Sequence, residues 1–203
     1  MEYRAVGYRC AVDIDLLQLP ISREEIFLIL DSKKFMVLEV DVVALAKKYI
    51  GVSKYRRGAR LVEAPAVFDC SSFIKWLYGQ CGIWLPRRSI QQRELGENIN
   101  FSEIASGDVV FVSGWIDYYL DDPTDGVGHV GIATSDKTVI HAGNSKIGVV
   151  ETPLDKFVGK DKFRGARRYI PKDREITIFE TPIGREVEVA DYIRWIVLQS
   201  LPK

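Results

Sequence analysis

Hydrophobic and polar positions change their period along this chain. Between residues 8 and 19 apolar positions alternate at Val12, Ile14 and Leu16, which predicts a short strand ahead of Pro20. Ser22 and Glu25 have capping-box spacing and precede Ile26, Phe27, Ile29 and Leu30, so a short helix is predicted there. Asp41 is placed to cap a second helix reaching Tyr49, with Val42, Leu45, Ala46 and Tyr49 on one face and Gly51 after its end. Residues 52–68 show no period; they read as an extended loop, punctuated by Gly58 and Pro65 and carrying Arg56, Arg57 and Arg60.

From residue 70 the period becomes helical. Phe73, Ile74, Leu77, Tyr78 and Cys81 share a face, and Gly82 stands where a C-terminal cap belongs, so a buried helix is predicted to begin at or beside Cys70. Further on the period falls to two, predicting strands over 108–113, 129–134, 138–142, 148–151 and 163–169. Their short connections favour an antiparallel meander, and a helix followed by such a meander is an α+β arrangement. The tail predicts a hairpin of 175–180 with 185–189 around Pro182 and Gly184, then a helix over 190–201.

Composition narrows the function classes. A chain of 203 residues holds one domain with an extension. Lysine plus arginine total 28 and aspartate plus glutamate total 28, so nothing points to a nucleic-acid partner. Charges at Glu2, Arg4, Arg9, Asp13 and Asp15 break up the apolar core a secretory signal needs. Apolar runs such as 26–30 fall far short of the ~20 residues that span a bilayer. The chain therefore reads as soluble, with no membrane partner, cytoplasmic by default or exported by a specialised route. Cys10, Cys70 and Cys81 show neither C-x-x-C spacing nor a disulfide framework.

One of these cysteines has chemistry around it. Cys70 stands among Asp69, Ser71 and Ser72 at a predicted helix start, where unpaired N–H groups and the helix dipole are expected to lower a thiol below its usual ~8.5. Cys81 lies on the apolar face at the far end and reads as core; Cys10 reads as core or strand face. A cysteine nucleophile needs a base within reach and a group to orient that base. The chain has two histidines, on two predicted strands joined around Ser135, Asp136 and Lys137. A three-residue loop puts His129 and His141 on one face as diagonal neighbours, with small residues such as Gly131 and Gly143 beside them; a two-residue loop puts them on opposite faces. Spacing alone does not separate a triad from three structural residues.

Longer motifs carry a resemblance. The stretches FDCSSFIKWLYGQCGIWLPRRSIQQ (68–92), IASGDVVF (104–111) and GHVGIATSDKTVIHAG (128–143) resemble, in order, three sequence blocks of the NlpC family of cell-wall cysteine peptidases. The resemblance covers roughly residues 40–168. It implies a papain-like α+β core in which a nucleophile-bearing helix packs on an antiparallel β-sheet. Taken with the elements above, the chain divides into three expected parts: 1–40 an N-terminal extension of unknown role, 41–170 the NlpC-type catalytic domain, and 171–203 a hairpin and helix extension packed on that domain. Cys70, His129 and His141 fall on the family's nucleophile, base and orienting residue. Tyr55 resembles the tyrosine upstream of the nucleophile that assists the oxyanion site, at a longer spacing. Asp69, Ser71 and Ser89 match substrate-pocket positions of relatives that recognise an N-terminal L-alanine followed by D-glutamate; the plainer readings are helix capping for Asp69 and Ser71 and loop hydrogen bonding for Ser89.

Departures accompany the match. Ser72 replaces a usual glycine, Arg57 and Ala59 replace Trp and Gly, and Ser106 replaces a proline. An insertion over 114–128, holding Trp115, Tyr118, Tyr119 and several aspartates, reads either as a lid or as a solvated loop. The activity implied is hydrolysis of the amide after D-glutamate in peptidoglycan stem peptides or muropeptides through a thioacyl-enzyme, with no cofactor and no metal. The alternatives are an amidase or acyl transferase with the same triad, a metal-binding module built on Cys70, His129 and His141, and a catalytically silent scaffold.

Overall fold

The computed structural model describes residues 3–202. Along the chain the elements are β1 (Arg9–Asp13), α1 (Arg23–Ser32), β2 (Met36–Leu38), α2 (Val42–Lys47), β3 (Lys54–Tyr55), β4 (Val67–Phe68), α3 (Cys70–Gln80), α4 (Ser89–Arg93) and β5 (Glu97–Ile99). They continue with β6 (Val109–Val112), β7 (His129–Ala133), β8 (Thr138–Ala142), β9 (Val149–Pro153), α5 (Leu154–Val158), β10 (Phe163–Arg168), β11 (Ile176–Glu180) and α6 (Ala190–Leu198). Two compact units result: residues 41–77 with 85–170, and residues 3–40 with 78–84 and 171–202.

In the second unit β1, β11 and β2 form an antiparallel sheet in the order β1-β11-β2. The hairpin predicted around Pro182 and Gly184 does not form. β11 has both edges occupied, by β1 and by β2, which leaves residues 185–189 with a single bridge between Val189 and Arg4. α1 begins as its capping box predicts: the Glu25 N–H donates to Ser22 Oγ at 3.2 Å and the Ser22 N–H to Glu25 Oε2 at 2.8 Å. Cys10, Val12, Leu30, Phe179, Ile193 and Val197 make the buried core of this unit. Gly82 has φ +69°, and a Cβ there would lie 2.7 Å from the Cys10 and Ala11 backbone, so only glycine lets the two chain segments meet.

In the first unit the sheet order is β5-β10-β6-β7-β8-β9. β6 to β9 are the predicted antiparallel meander. β10 departs from it, returning through α5 to pair with β6 on the opposite side from β7. A buried ion pair accompanies that return: Arg168 Nε and Nη2 each donate to the fully buried Asp108 carboxylate at 2.8 Å. β6 is buried along its whole length and β7 beyond its first residue, so both lie inside the layers rather than on a solvated face.

Residues 52–68, read as loop, contain the short parallel pair β3 and β4, with Tyr55 opposite Phe68. β4 leads directly into α3. Tyr49, Phe68, Phe73 and Trp76 interlock, with ring centroids 5.1 Å apart for Tyr49–Trp76 and for Phe68–Phe73, and these contacts fix the first turns of α3. Phe73, Ile74 and Leu77 are fully buried. The fold is α+β and papain-like, with the Cys70 helix packed on the antiparallel sheet.

Candidate active site

Asp69 caps α3. Its Oδ1 accepts the Ser72 N–H at 2.8 Å, and the Asp69 N–H donates to Ser72 Oγ at 2.8 Å, a reciprocal pair that gives the serine at 72 a structural use. The same carboxylate accepts the Gly58 N–H at 3.0 Å, tying down the loop after Tyr55, and is held by the Arg87 guanidinium. Ser71 Oγ also accepts from Arg87, at 2.8 Å. Asp69 and Ser71 thus organise the start of the helix, and the Asp69 charge is consumed internally.

Cys70, half-buried at the first position of α3, lines a cleft of about 920 Å³ together with Tyr55, Asp69, Ser71, Ser89, His129 and His141. All seven residues singled out in the sequence border this one cavity. Cys10 and Cys81 are in no disulfide among the described residues and are fully buried. Among the described residues no group of three His, Cys, Asp or Glu side chains is placed to hold a metal ion.

The β7–β8 connection has the three-residue loop, with Ile132 opposite Ile140 and Ala133 opposite Val139. Both histidines therefore face one side. His129 Nε2 lies 2.8 Å from His141 Nδ1, and His141 Nε2 lies 3.0 Å from Thr152 Oγ1 on β9. Phe157 covers both rings, with centroids 5.6 Å from His129 and 4.9 Å from His141. Gly131 makes room: a Cβ there would sit 2.4 Å from Val139 Cγ1 and 3.0 Å from His141 Cβ. Thr152 and Phe157 carry no sequence signal, because the predicted strand stops at 151 and the sequence predicts no helix over 154–158.

Electrostatics run opposite to the sequence expectation for the thiol. Burial, and then the Asp69 charge, push Cys70 up to about 12; the Ser71 and Val130 N–H groups and Arg87 oppose this without overcoming it. The influence of Val130 N–H puts the sulfur beside β7, next to the residue that follows His129. Burial pushes His129 down to about 3, with His141 adding to the shift, and pushes His141 down to about 4. Both directions favour the uncharged forms, a thiol at residue 70 and imidazoles at 129 and 141. Tyr55 is raised by burial first and then by Cys70 and Asp69, so it keeps its phenolic proton at neutral pH.

The model of the NlpC/P60 family matches residues 51–168, more than half of the chain. The chain belongs to the NlpC/P60 family. Among curated NlpC/P60 relatives it is 34% identical over 143 residues to the gamma-DL-glutamyl hydrolase of Bacillus subtilis, covering 68% of this chain and 32% of that protein. It is 31% identical over 131 residues to the gamma-D-glutamyl-L-lysine dipeptidyl-peptidase of Bacillus cereus, covering 64% and 36%. The chain thus spans about a third of the length of these two relatives. A crystal structure of an NlpC/P60 family protein from Bacillus cereus superposes with a TM-score of 0.50 at 25% identity, covering 64% of this chain and 40% of that one.

The insertion over 114–128 is pinned rather than loose. Asp117 accepts from Ser113 Oγ at 2.6 Å and from the Gly114 N–H at 2.7 Å, and Arg93 donates to both Asp125 carboxylate oxygens at 2.8 and 2.7 Å. Gly114 and Gly128 close its base, where a Cβ on either would meet the other's backbone within 2.8 Å. Trp115, Ile116 and Tyr118 from this loop form part of the cleft wall.

Proposed function

We propose that this NlpC/P60 chain is a cysteine peptidase that hydrolyses the amide bond after D-glutamate in peptidoglycan stem peptides or muropeptides. One observation carries the reading: a half-buried thiol at a helix start shares a cleft with an imidazole whose Nε2 is held by a second imidazole. The names of the two curated relatives, a gamma-DL-glutamyl hydrolase and a gamma-D-glutamyl-L-lysine dipeptidyl-peptidase, support a γ-glutamyl bond as the one cleaved.

In this reading Cys70 is the nucleophile, His129 the base and His141 the group that orients it. Two proton arrangements fit the His129–His141–Thr152 distances. Only the one in which His129 Nε2–H donates to His141 Nδ1, and His141 Nε2–H donates to Thr152 Oγ1, leaves a lone pair on His129 Nδ1 for the thiol proton. Because the uncharged thiol and imidazole are favoured, proton transfer from Sγ to Nδ1 accompanies formation of the S–C bond, and the carbonyl electrons move to oxygen. The Cys70 N–H and the protonated Tyr55 hydroxyl steady that oxyanion. Collapse breaks the C–N bond as Nδ1–H passes its proton to the leaving amine. Water, deprotonated by the same nitrogen, then attacks the thioester and releases the thiol. Asp69, Ser71 and Ser89 shape the pocket on the acyl side.

Mass-spectrometric product mapping on defined muropeptides tests this. Wild type is expected to cut after D-glutamate with a thioester adduct on Cys70, and Cys70→Ala to be folded and inactive. Cleavage by Cys70→Ala overturns the assignment. Products of a different amide, or transfer of the acyl group to an added amine in preference to water, favour an amidase or acyl transferase.

A further inference from the structure

Five cationic side chains, Arg57, Arg87, Arg88, Lys156 and Lys162, line the Cys70 cleft against one carboxylate, Asp69. The Asp69–Arg87 pair is already committed. Asp69 accepts from Arg87, Gly58 and Ser72, while Arg87 also donates to Ser71 Oγ at 2.8 Å and to the Ala59 carbonyl at 2.9 Å. That pair has little left to offer a ligand. Arg57 and Arg88 are different, since among the described residues neither enters an ion pair.

Both converge on Tyr118 of the 114–128 insertion. Arg57 Nη2 donates to the Tyr118 hydroxyl at 3.3 Å, and the Arg88 guanidinium lies over the Tyr118 ring, 5.1 Å from its centroid. Tyr118 itself is fixed by a two-way backbone bridge with Val127, at 3.1 and 2.8 Å. Two like charges held on one aromatic ring repel each other until an anion joins them. Guanidinium forks pre-placed in this way suit a carboxylate, because little ordering remains to be done on binding.

We propose that Arg57 and Arg88, held on Tyr118, form a carboxylate-binding subsite that selects an acidic peptide in this cleft. The identity of that peptide, a γ-linked glutamyl peptide, rests on the peptidase reading above; the charge argument does not. The subsite gives the insertion a use in specificity, since it supplies the ring that sets the spacing of the two arginines.

The test uses full-length Cys70→Ala protein and calorimetric binding of one γ-D-glutamyl muropeptide in two forms, with its carboxylates free and with them amidated. The free acid is expected to bind about tenfold or more tightly, with an affinity that falls as salt rises. The double variant R57Q/R88Q, checked for unchanged thermal unfolding, is expected to lose that preference, whereas R57K/R88K, which keeps charge without the fork, retains part of it. Equal binding of the two forms, an unaltered preference in R57Q/R88Q, or no binding of the free acid at about 1 mM overturns the proposal. Arginine-dependent binding of a peptide that wild type does not cleave would sink the peptidase reading and leave the subsite standing.

Discussion

His129 and His141 are one hydrogen bond apart, Nε2 to Nδ1 at 2.8 Å, with their rings at 88° to each other. The edge-on arrangement leaves His129 one nitrogen, Nδ1, that its neighbour does not engage. The line of contacts continues to Thr152, whose hydroxyl lies 3.0 Å from His141 Nε2.

Loss of the orienting ring should therefore cost turnover more than binding. His141→Ala is expected to lower kcat by about a hundredfold, within the usual range for a misplaced general base, with KM little changed. His141→Asn, which can still accept from His129 Nε2–H, should recover part of the loss. Steady-state kinetics on a muropeptide decide it; a rise in KM at constant kcat would assign His141 to substrate binding instead.

Thr152→Val removes the hydroxyl at nearly constant volume. With the Nε2–H of His141 unpaired, either tautomer becomes available to that ring, and kcat is expected to fall by about tenfold. Thr152→Ser should restore it. An unchanged kcat in Thr152→Val would show that the His129–His141 pair sets its own tautomer.

The direction of the Cys70 shift makes a statement about alkylation. With the thiol pushed up to about 12, its reaction with iodoacetamide should be slow at pH 7 and should keep rising through pH 10 as the thiolate fraction grows. Cys10 and Cys81 are fully buried and should react only on unfolding. Peptide mapping after timed labelling separates the three sites. A rate that is already flat at neutral pH would mean a preformed thiolate.

Two buried neutral imidazoles also make stability depend on pH. Burial lowers both histidines, to about 3 and about 4, from the 6.5 of an unfolded chain. Below pH 6.5 the unfolded chain takes up protons that the folded one does not. Stability is thus fully present above that value and is lost as pH falls toward the folded values, by up to about 1.4 kcal/mol per pH unit for each ring. Urea unfolding at pH 7, 6 and 5 should show this loss, and His141→Asn should show less of it. Parallel curves for the two proteins would assign the acid sensitivity elsewhere.

Gly131→Ala tests the space between the paired strands. Its Cβ would fall 2.4 Å from Val139 Cγ1 and 3.0 Å from His141 Cβ, so β7 and β8 must part or Val139 must leave its rotamer. A cost of about 1–3 kcal/mol is expected, together with a loss of activity from the displaced ring. Thermal unfolding and kinetics on the same sample check both; a fully stable, fully active variant would show that the strands can yield there.

Most of what was legible in the sequence was local. The capping pairs at Ser22–Glu25 and around Asp41, the apolar face of α3 and the short apolar runs of β6, β7 and β8 are written in residue spacing, because neighbours in sequence make those contacts. β2 and β5, three residues each, carry too little pattern to be seen, and β3 and β4 form only because each supplies the other's partner. The hairpin predicted around Pro182 and Gly184 had sound turn chemistry, yet β11 paired with β1 and β2, segments more than a hundred residues earlier. Turn residues permit a hairpin; they do not outbid two full ladders.

By itself the sequence determined the α+β class, the helix that starts at Cys70 and the block pattern of the family. Whether the two imidazoles would meet hung on one loop residue, and the folded hairpin decided it. The direction of the thiol shift was likewise out of reach of spacing. A helix end favours the anion, but burial and the neighbouring Asp69 charge work against it, and both depend on what packs around the sulfur in three dimensions. Thr152 behind the histidines and Tyr118 between two arginines are contacts across strands and loops, made by chain segments whose only link is the fold that brings them together.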